Sequence, residues 1–195
     1  VTDYNLYSLI SQNQIAYFSE NGNVYGSLTD IDRDLGYWVK SNNDVDVSFT
    51  GYKTEPDIVY SLLESANLIS FPYDECIDLE DALPDHLGGV VYAIFSGEDA
   101  AVYQNGEWYG SLTCFDGFTG YWFRSHENID FQFNIPEEGV VRSVAPEKEI
   151  LSGYEFNQSS QVAFYFIEDL PQAQIGDWVI SMNDGVVVGA RKWTG

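Results

Sequence analysis

Residues 105–125 read Asn105-Gly-Glu-Trp-Tyr-Gly-Ser-Leu-Thr-Cys-Phe-Asp-Gly-Phe-Thr-Gly-Tyr-Trp-Phe-Arg-Ser125, and the same pattern occurs earlier as Asn21-Gly-Asn-Val-Tyr-Gly-Ser-Leu-Thr-Asp-Ile-Asp-Arg-Asp-Leu-Gly-Tyr-Trp-Val-Lys-Ser41. The two copies align without a gap at an offset of 84 residues, and 12 of their 21 positions are identical. Internal repetition of this kind indicates an array of related structural units. The chain is therefore expected to consist of tandem small β modules.

Short apolar runs bounded by turn residues indicate strands on both sides of the repeated stretch. Asn21-Gly22 and Asn105-Gly106 are strong hairpin signals, because both residue types tolerate positive φ. At the same offset, further segments of the two copies match: Val90–Phe95 with Leu6–Ser11, Ala100–Tyr103 with Ala16–Ser19, and Ile129–Phe133 with Val45–Phe49.

The predicted fold is mainly β, with three modules over residues 1–51, 58–135 and 151–195. The second module is expected to contain a short helix over Tyr73–Leu83, which Pro84 ends. Residues 52–57 and 136–146 are the predicted connectors. The first copy has no counterpart of residues 58–84, so it is expected to be incomplete unless a neighbour supplies that half.

The C-terminal module is expected to be β-sandwich-like and cut short. Its predicted elements are a buried strand over Val162–Ile167 and a hairpin with Asp184-Gly185 in the turn.

Charge and hydropathy disfavour two classes of partner. The chain has 31 acidic against 8 basic residues and a net charge of −23, so its surface repels nucleic-acid phosphates and anionic membranes. No apolar run approaches the roughly 20 residues that a membrane-spanning helix needs. Neither nucleic-acid binding nor membrane insertion is therefore expected.

Two cysteines, Cys76 and Cys114, fall in the second module. They can pair under oxidising conditions, but the sequence leaves open whether they do. They do not form a zinc-ligand pattern with the histidines.

The repeated Gly-Tyr-Trp has two interpretations. Flat aromatic rings can stack on sugars, but a position inside an apolar strand favours a role in the core. Tyr37, Trp38, Tyr121 and Trp122 are therefore predicted to be core residues.

Asp30, Asp32 and Asp34 have the alternating spacing of a calcium loop, and calcium is the one cofactor considered. The EF-hand pattern is excluded because Leu35 and Ser41 occupy its glycine and glutamate positions. A non-EF calcium site and a solvated turn both remain open.

Trp108 has no aromatic counterpart in the first copy, which has Val24 there, and Tyr109 follows it beside a hairpin. Both are candidate ligand-contact residues. The repeated Gly-Ser-Leu lacks the nucleophile elbow of a serine hydrolase, so its hydroxyl is expected to bind a nearby backbone group. No catalytic residue is assigned.

Several stretches resemble a repeat module of large secreted or surface proteins of marine bacteria, also found in virion proteins of marine phages such as cyanophages. They are Asn67-Leu-Ile-Ser-Phe-Pro72, Ala82-Leu-Pro-Asp85, Asn105-Gly-x-Trp-x-Gly-Ser-Leu and Gly120-Tyr-Trp-Phe-Arg. Ala163-Phe-Tyr-Phe, Gly176-Asp-Trp-Val and Val188-Gly-Ala-Arg-Lys-Trp193 resemble a companion β module of the same proteins. The resemblance implies a virion-surface or extracellular setting, with repeats used as spacers or display units.

The expected function is a non-enzymatic structural or attachment segment of a surface appendage, such as a phage knob, decoration or fibre protein. Its expected partners are other structural subunits of the assembly, including further copies of the chain. The alternative is a carbohydrate-binding array of an extracellular protein, whose partners are cell-surface glycans. A hydrolase with a site between modules is a third alternative.

Overall fold

The protein is mainly β, as the apolar runs predict. The computed structural model describes residues 6–46, 55, 57–135, 149–156, 163–167 and 169–193. The chain divides into two compact units, Val1–Ala145 and Pro146–Gly195. Both repeats lie in the first unit.

The first repeat forms a four-stranded antiparallel sheet with strand order β3-β2-β1-β4. Its strands are β1 (Leu6–Ile10), β2 (Ile15–Phe18), β3 (Val24–Gly26) and β4 (Trp38–Ser41). The predicted strand over Val45–Phe49 falls largely outside the described residues.

The second repeat has a five-stranded sheet in the order β10-β9-β8-β12-β6, with two small strand pairs, β11-β7 and β13-β5. Its elements are β5 (Tyr60–Leu62), β6 (Ser65–Ser70), β7 (Ile77–Asp78), α1 (Leu79–Ala82), a 3₁₀-helix (Asp85–Leu87), β8 (Val91–Phe95), β9 (Ala100–Gln104), β10 (Glu107–Gly110), β11 (Cys114–Phe115), β12 (Gly120–Ser125) and β13 (Ile129–Phe131). The first four strands of this sheet correspond to the whole sheet of the first repeat, and β6 is an addition.

The predicted alignment of the two repeats is wrong by one residue before the hairpin. Phe18 pairs with Val24, whereas Tyr103 pairs with Trp108, so the first hairpin is one residue longer. The offset is therefore 85 in β1 and β2, where Ala100 matches Ile15 and not Ala16. The same Asn-Gly dipeptide thus closes turns of two different lengths.

The predicted helix over Tyr73–Leu83 is wrong in extent, because α1 spans Leu79–Ala82. Ile77 and Asp78 instead pair with β11, and a disulfide bond joins Cys76 to Cys114. Strand pairing and the disulfide therefore override the helix-starting signal of the acidic residues.

The hydrophobic core lies within the second repeat. Phe115 is its centre: its ring stacks on Phe71 at 5.4 Å and meets Tyr121 edge to face at 4.8 Å. Phe71 follows β6, so residues 58–84 supply one side of the core and the repeated sheet supplies the other. Burial of these aromatic rings gives the second repeat most of its hydrophobic stabilisation.

The two repeats are joined at the outer edge of β6. Gly36 donates its backbone N–H to the Leu68 carbonyl (3.0 Å), and Ser70 donates to the Asp34 carbonyl (3.2 Å). The Gln12 amide acts as a further strand segment, donating to the Ala66 carbonyl (2.8 Å) and accepting from the Leu68 N–H (3.0 Å). Most of the predicted connector at 52–57 lies outside the described residues.

The second unit contains the predicted hairpin, formed by β14 (Trp178–Asn183) and β15 (Val186–Lys192). Asp184 and Gly185 both have positive φ, which confirms the turn. The predicted buried strand over Val162–Ile167 is wrong for its described part, since residues 163–167 form no strand and Tyr165 is 79% exposed. Neither described strand of this unit pairs with residues 163–167, so its described residues form a hairpin and no sandwich. Residues 136–148, which include the whole of the other predicted connector, lie outside the described residues.

In the described part of the chain, no helix has the length and apolar character required to cross a membrane.

Candidate functional site

A surface groove of about 290 Å³ lies beside α1 in the second repeat. Its lining comprises Asp78, Leu79, Glu80, Asp81, Trp108, Gly110, Leu112 and Thr113. One wall is thus the acidic start of α1, and the other is β10 with the segment that follows it.

Backbone and covalent bonds hold the two walls together. Leu79 donates its N–H to the Thr113 carbonyl at 2.9 Å, and Asp78 pairs with Cys114 in the β7–β11 ladder. Cys114 of this pair also forms the disulfide with Cys76. The groove therefore has a fixed shape, which favours ligand binding because little ordering is required.

Trp108 forms the apolar surface of the groove. Its ring is half-buried, packs against the core and meets the Tyr103 ring edge to face at 5.2 Å. The side chains of Asp78, Glu80 and Asp81 are exposed around it. An aromatic face beside carboxylates has the chemistry to bind a sugar ring with its hydroxyl groups, or a cation.

Tyr109 does not share this groove. Neighbouring residues of a strand point to opposite faces, and Tyr109 is 47% exposed on the other face from Trp108. Its hydroxyl donates to Glu107 Oε2 at 2.9 Å, and this bond raises the pKa of Tyr109. The two predicted contact residues are therefore not brought together.

The predicted calcium ligands Asp30, Asp32 and Asp34 are not gathered into a site. Among the residues that the structure describes, no three acidic, histidine or cysteine side chains are arranged to hold a metal ion. The loop is instead organised by its backbone: Asp32 is held by the Tyr37 hydroxyl, and the Asp34 carbonyl accepts from Ser70. The solvated turn is the interpretation that fits.

The tyrosine of each Gly-Tyr-Trp closes the loop that precedes it. Asp116 donates its N–H to the Tyr121 hydroxyl oxygen at 2.6 Å, and Asp32 donates to Tyr37 in the same way at 2.8 Å. Tyr121 is buried, and burial raises the pKa of its hydroxyl to about 12. Burial also raises the pKa of Tyr37.

The tryptophans of the motif do not lie in the core, which corrects the prediction for them. Trp38 is 39% exposed and Trp122 is half-buried. The physical reason is strand alternation: a side chain next to an inward-facing tyrosine must face outward. Tyr121 lies in the core, whereas Tyr37 is half-buried.

The Gly-Ser-Leu hydroxyls bind the backbone, as predicted. Ile15 donates its N–H to Ser27 Oγ at 3.3 Å, and Ala100 donates to Ser111 Oγ at 3.2 Å. The glycine before each serine has positive φ and lies so close to this backbone that a β-carbon would clash. The motif therefore has a structural explanation in both repeats.

No family model, curated protein or solved structure matches this chain. The resemblance to surface and virion repeats stays a prediction.

Two features could not be predicted from the sequence: the carboxylates of the groove and the contact of Gln12 between the repeats. The carboxylates beside Trp108 come from residues 78–81, whose proximity to β10 depends on the β7–β11 ladder and not on any local pattern. The Gln12 side chain makes two hydrogen bonds to the backbone of β6 that a neighbouring strand would otherwise make. A single glutamine carries no sequence signal for that role.

Proposed function

We propose that the chain is a non-enzymatic structural or attachment segment of a surface appendage, such as a phage knob, decoration or fibre protein or a bacterial surface protein. The observation that supports this most is the junction of the two repeats, where backbone groups of one repeat pair with the strand edge of the next. Such pairing can propagate along an array, because each unit satisfies the exposed strand edge of its neighbour.

Two further properties agree with an extracellular setting. Disulfides such as Cys76–Cys114 persist in oxidising compartments outside the cytosol. A net charge of −23 keeps an exposed assembly soluble where salt screens its self-repulsion. The partners in this proposal are other structural subunits of the same assembly, including further copies of the chain.

Immunogold electron microscopy tests the proposal. Antibodies raised against the folded chain are applied to intact cells that encode it and to phage particles released from them. Gold on the outer surface or on appendages, lost after the antibody is pre-absorbed with the chain, is the expected result. Labelling confined to the cell interior contradicts the proposal.

A second candidate is carbohydrate binding, and the groove at Trp108 favours it specifically. Trp108 presents an aromatic surface beside exposed carboxylates, whereas the first repeat has Val24 at that position. Binding on a glycan array that disappears in Trp108→Ala but persists in Val24→Ala supports this candidate. Absence of glycan binding, or binding that Trp108→Ala leaves unchanged, rules against it.

A further inference from the structure

We propose that the first repeat binds a segment of another polypeptide that resembles residues 58–84. We call residues 58–84 the completing segment of the second repeat, and we use the same name for the segment that the first repeat binds. This segment adds a strand to the open edge of β4 and covers the exposed face of that sheet. The inference rests on the proposed assembly role and names the kind of partner.

The second repeat shows the completed arrangement. Several hydrogen bonds of its loops recur in the first repeat, among them the tyrosine–loop bond and the serine–backbone bond. β12 corresponds to β4, and one edge of β12 is paired with β6 over six residues. In the described part of the first repeat, no strand pairs with the corresponding edge of β4.

Apolar side chains that are buried in the core of the second repeat have exposed counterparts in the first. Val39 is 52% exposed and its counterpart Phe123 is fully buried. Ile31 is 63% exposed and its counterpart Phe115 is fully buried beneath Phe71 of the completing segment. The first repeat therefore has apolar side chains at the same positions, without the cover.

The backbone of β4 is oriented to accept such a strand. Successive residues of an antiparallel strand turn their hydrogen-bonding groups to opposite neighbours. Leu68 and Ser70 direct their backbone hydrogen-bonding groups to the first repeat. The backbone groups of Asn67 therefore face β12, where Asn67 pairs with Phe123. By the same alternation, Val39 turns its N–H and C=O to the open edge of β4.

The chain's own residues 58–84 are already committed. The six-residue pairing with β12 and the Cys76–Cys114 disulfide hold them on the second repeat. The proposed occupant of the first repeat is therefore a segment of another polypeptide, as in strand-addition complexes, where backbone bonds give affinity and side-chain pockets give specificity.

Charge predicts how this binding responds to salt. Residues 58–84 contain six acidic and no basic residues, and residues 6–46 contain six acidic and two basic ones. The adding strand itself, Ser65–Ser70, is uncharged. Added salt screens the repulsion outside the strand contact, so binding is expected to strengthen as the salt concentration rises.

Fluorescence anisotropy with a synthetic peptide tests the inference. A labelled peptide of residues 57–84 with Cys76→Ser is titrated with the oxidised, full-length chain. We expect saturable binding at one peptide per chain, weakened at least tenfold by Val39→Asp. The matched control Val24→Asp, on β3 at the other edge of the same sheet, is expected to bind like the parent.

A peptide variant tests the same contact without altering the protein. Ile69→Pro removes an N–H that faces the accepting strand, so this peptide is expected to bind at least tenfold more weakly.

No binding of the parent peptide, or equal binding of both peptides, overturns the inference. It is also overturned if the chain alone sediments as a dimer that Val39→Asp dissociates, because a second copy then occupies the edge. Each of these results leaves the surface-labelling test unaffected, so the two proposals fail separately.

Discussion

Val39 and Phe123 occupy the same position in the two repeats, yet Val39 is 52% exposed and Phe123 is fully buried. The strands around them have the same order and register, so local geometry does not explain the difference. Phe123 lies in the core that residues 58–84 help to close, where its ring contacts Phe115, Phe131 and Phe133. Residues 58–84 have no counterpart among the described residues of the first repeat. The first repeat therefore presents an accepting surface, and the second shows what such a surface holds.

Gly36→Ala is expected to lower the free energy of unfolding by about 1–3 kcal/mol, because overpacking at a tight contact forces the backbone to move. A β-carbon on Gly36 would lie 2.8 Å from the Ile69 carbonyl oxygen, at the junction of the repeats. Urea unfolding followed by tryptophan fluorescence measures the change.

Gly120→Ala is the matched control for this junction. Its β-carbon would meet no atom closer than 3.4 Å, so stability is expected to stay within about 1 kcal/mol of the parent. Equal effects of the two substitutions would show that the Gly36 contact is not what joins the repeats.

Gln12→Ala is expected to cost about 0.5–1.5 kcal/mol for each of the two backbone bonds that the amide makes. Amide hydrogen exchange at Leu68 should become faster, since its N–H loses the Gln12 acceptor. Gln14→Ala, at an exposed position of the same turn, serves as the control. Unchanged exchange at Leu68 in Gln12→Ala speaks against the side chain acting as a strand substitute.

Stability is expected to fall between pH 10 and about pH 12, in part because of Tyr121. Burial raises the pKa of Tyr121 to about 12 in the folded chain, from 10.0 in the unfolded chain. The unfolded chain therefore loses this proton first as pH rises. The stabilisation is complete below pH 10 and is lost as pH approaches the folded value.

Tyr121→Phe should make this alkaline loss smaller, by about 1 kcal/mol at pH 11. At neutral pH it should also cost about 1–2 kcal/mol through the lost bond to the Asp116 backbone. Urea unfolding at pH 8, 10 and 11 measures both effects. A variant whose stability declines as steeply as that of the parent would refute the assignment of the titration to Tyr121.

Removal of the disulfide is expected to destabilise the second repeat. The bond closes a loop with a sequence separation of 38, which corresponds to about 4 kcal/mol of unfolded-state entropy. The double variant Cys76→Ser/Cys114→Ser should therefore unfold at a lower temperature in calorimetry. A reductant should lower the unfolding temperature of the parent and leave that of the double variant unchanged. An unfolding temperature of the parent that does not respond to reductant contradicts the bond's presence.

The strands and tight turns could be predicted from the sequence because their signals are local. Asp184-Gly185 between two apolar runs predicts a tight hairpin turn, and the structure has that turn between β14 and β15. The difference in hairpin length could not be predicted, since Asn21-Gly22 and Asn105-Gly106 are identical and the extra residue lies in the turn between β2 and β3.

Features that depend on distant residues were predicted less well. The helix is one turn long because Ile77 finds a partner strand nearly 40 residues away. The apolar neighbours of Trp38 predict a core position, although strand alternation already places its side chain on the opposite face from Tyr37. The groove at Trp108 required the position of α1, which no spacing in the sequence specifies.

Residue-resolved amide hydrogen exchange at Val39 tests the accepting edge most directly. In the free chain the Val39 amide is expected to exchange rapidly, while the equivalent Phe123 amide, bonded across to β6, is strongly protected. Addition of the completing-segment peptide should slow exchange at Val39 at least tenfold and leave Val24 unchanged. A Val39 amide that is already protected in the free chain, or one that the peptide does not protect, contradicts the account.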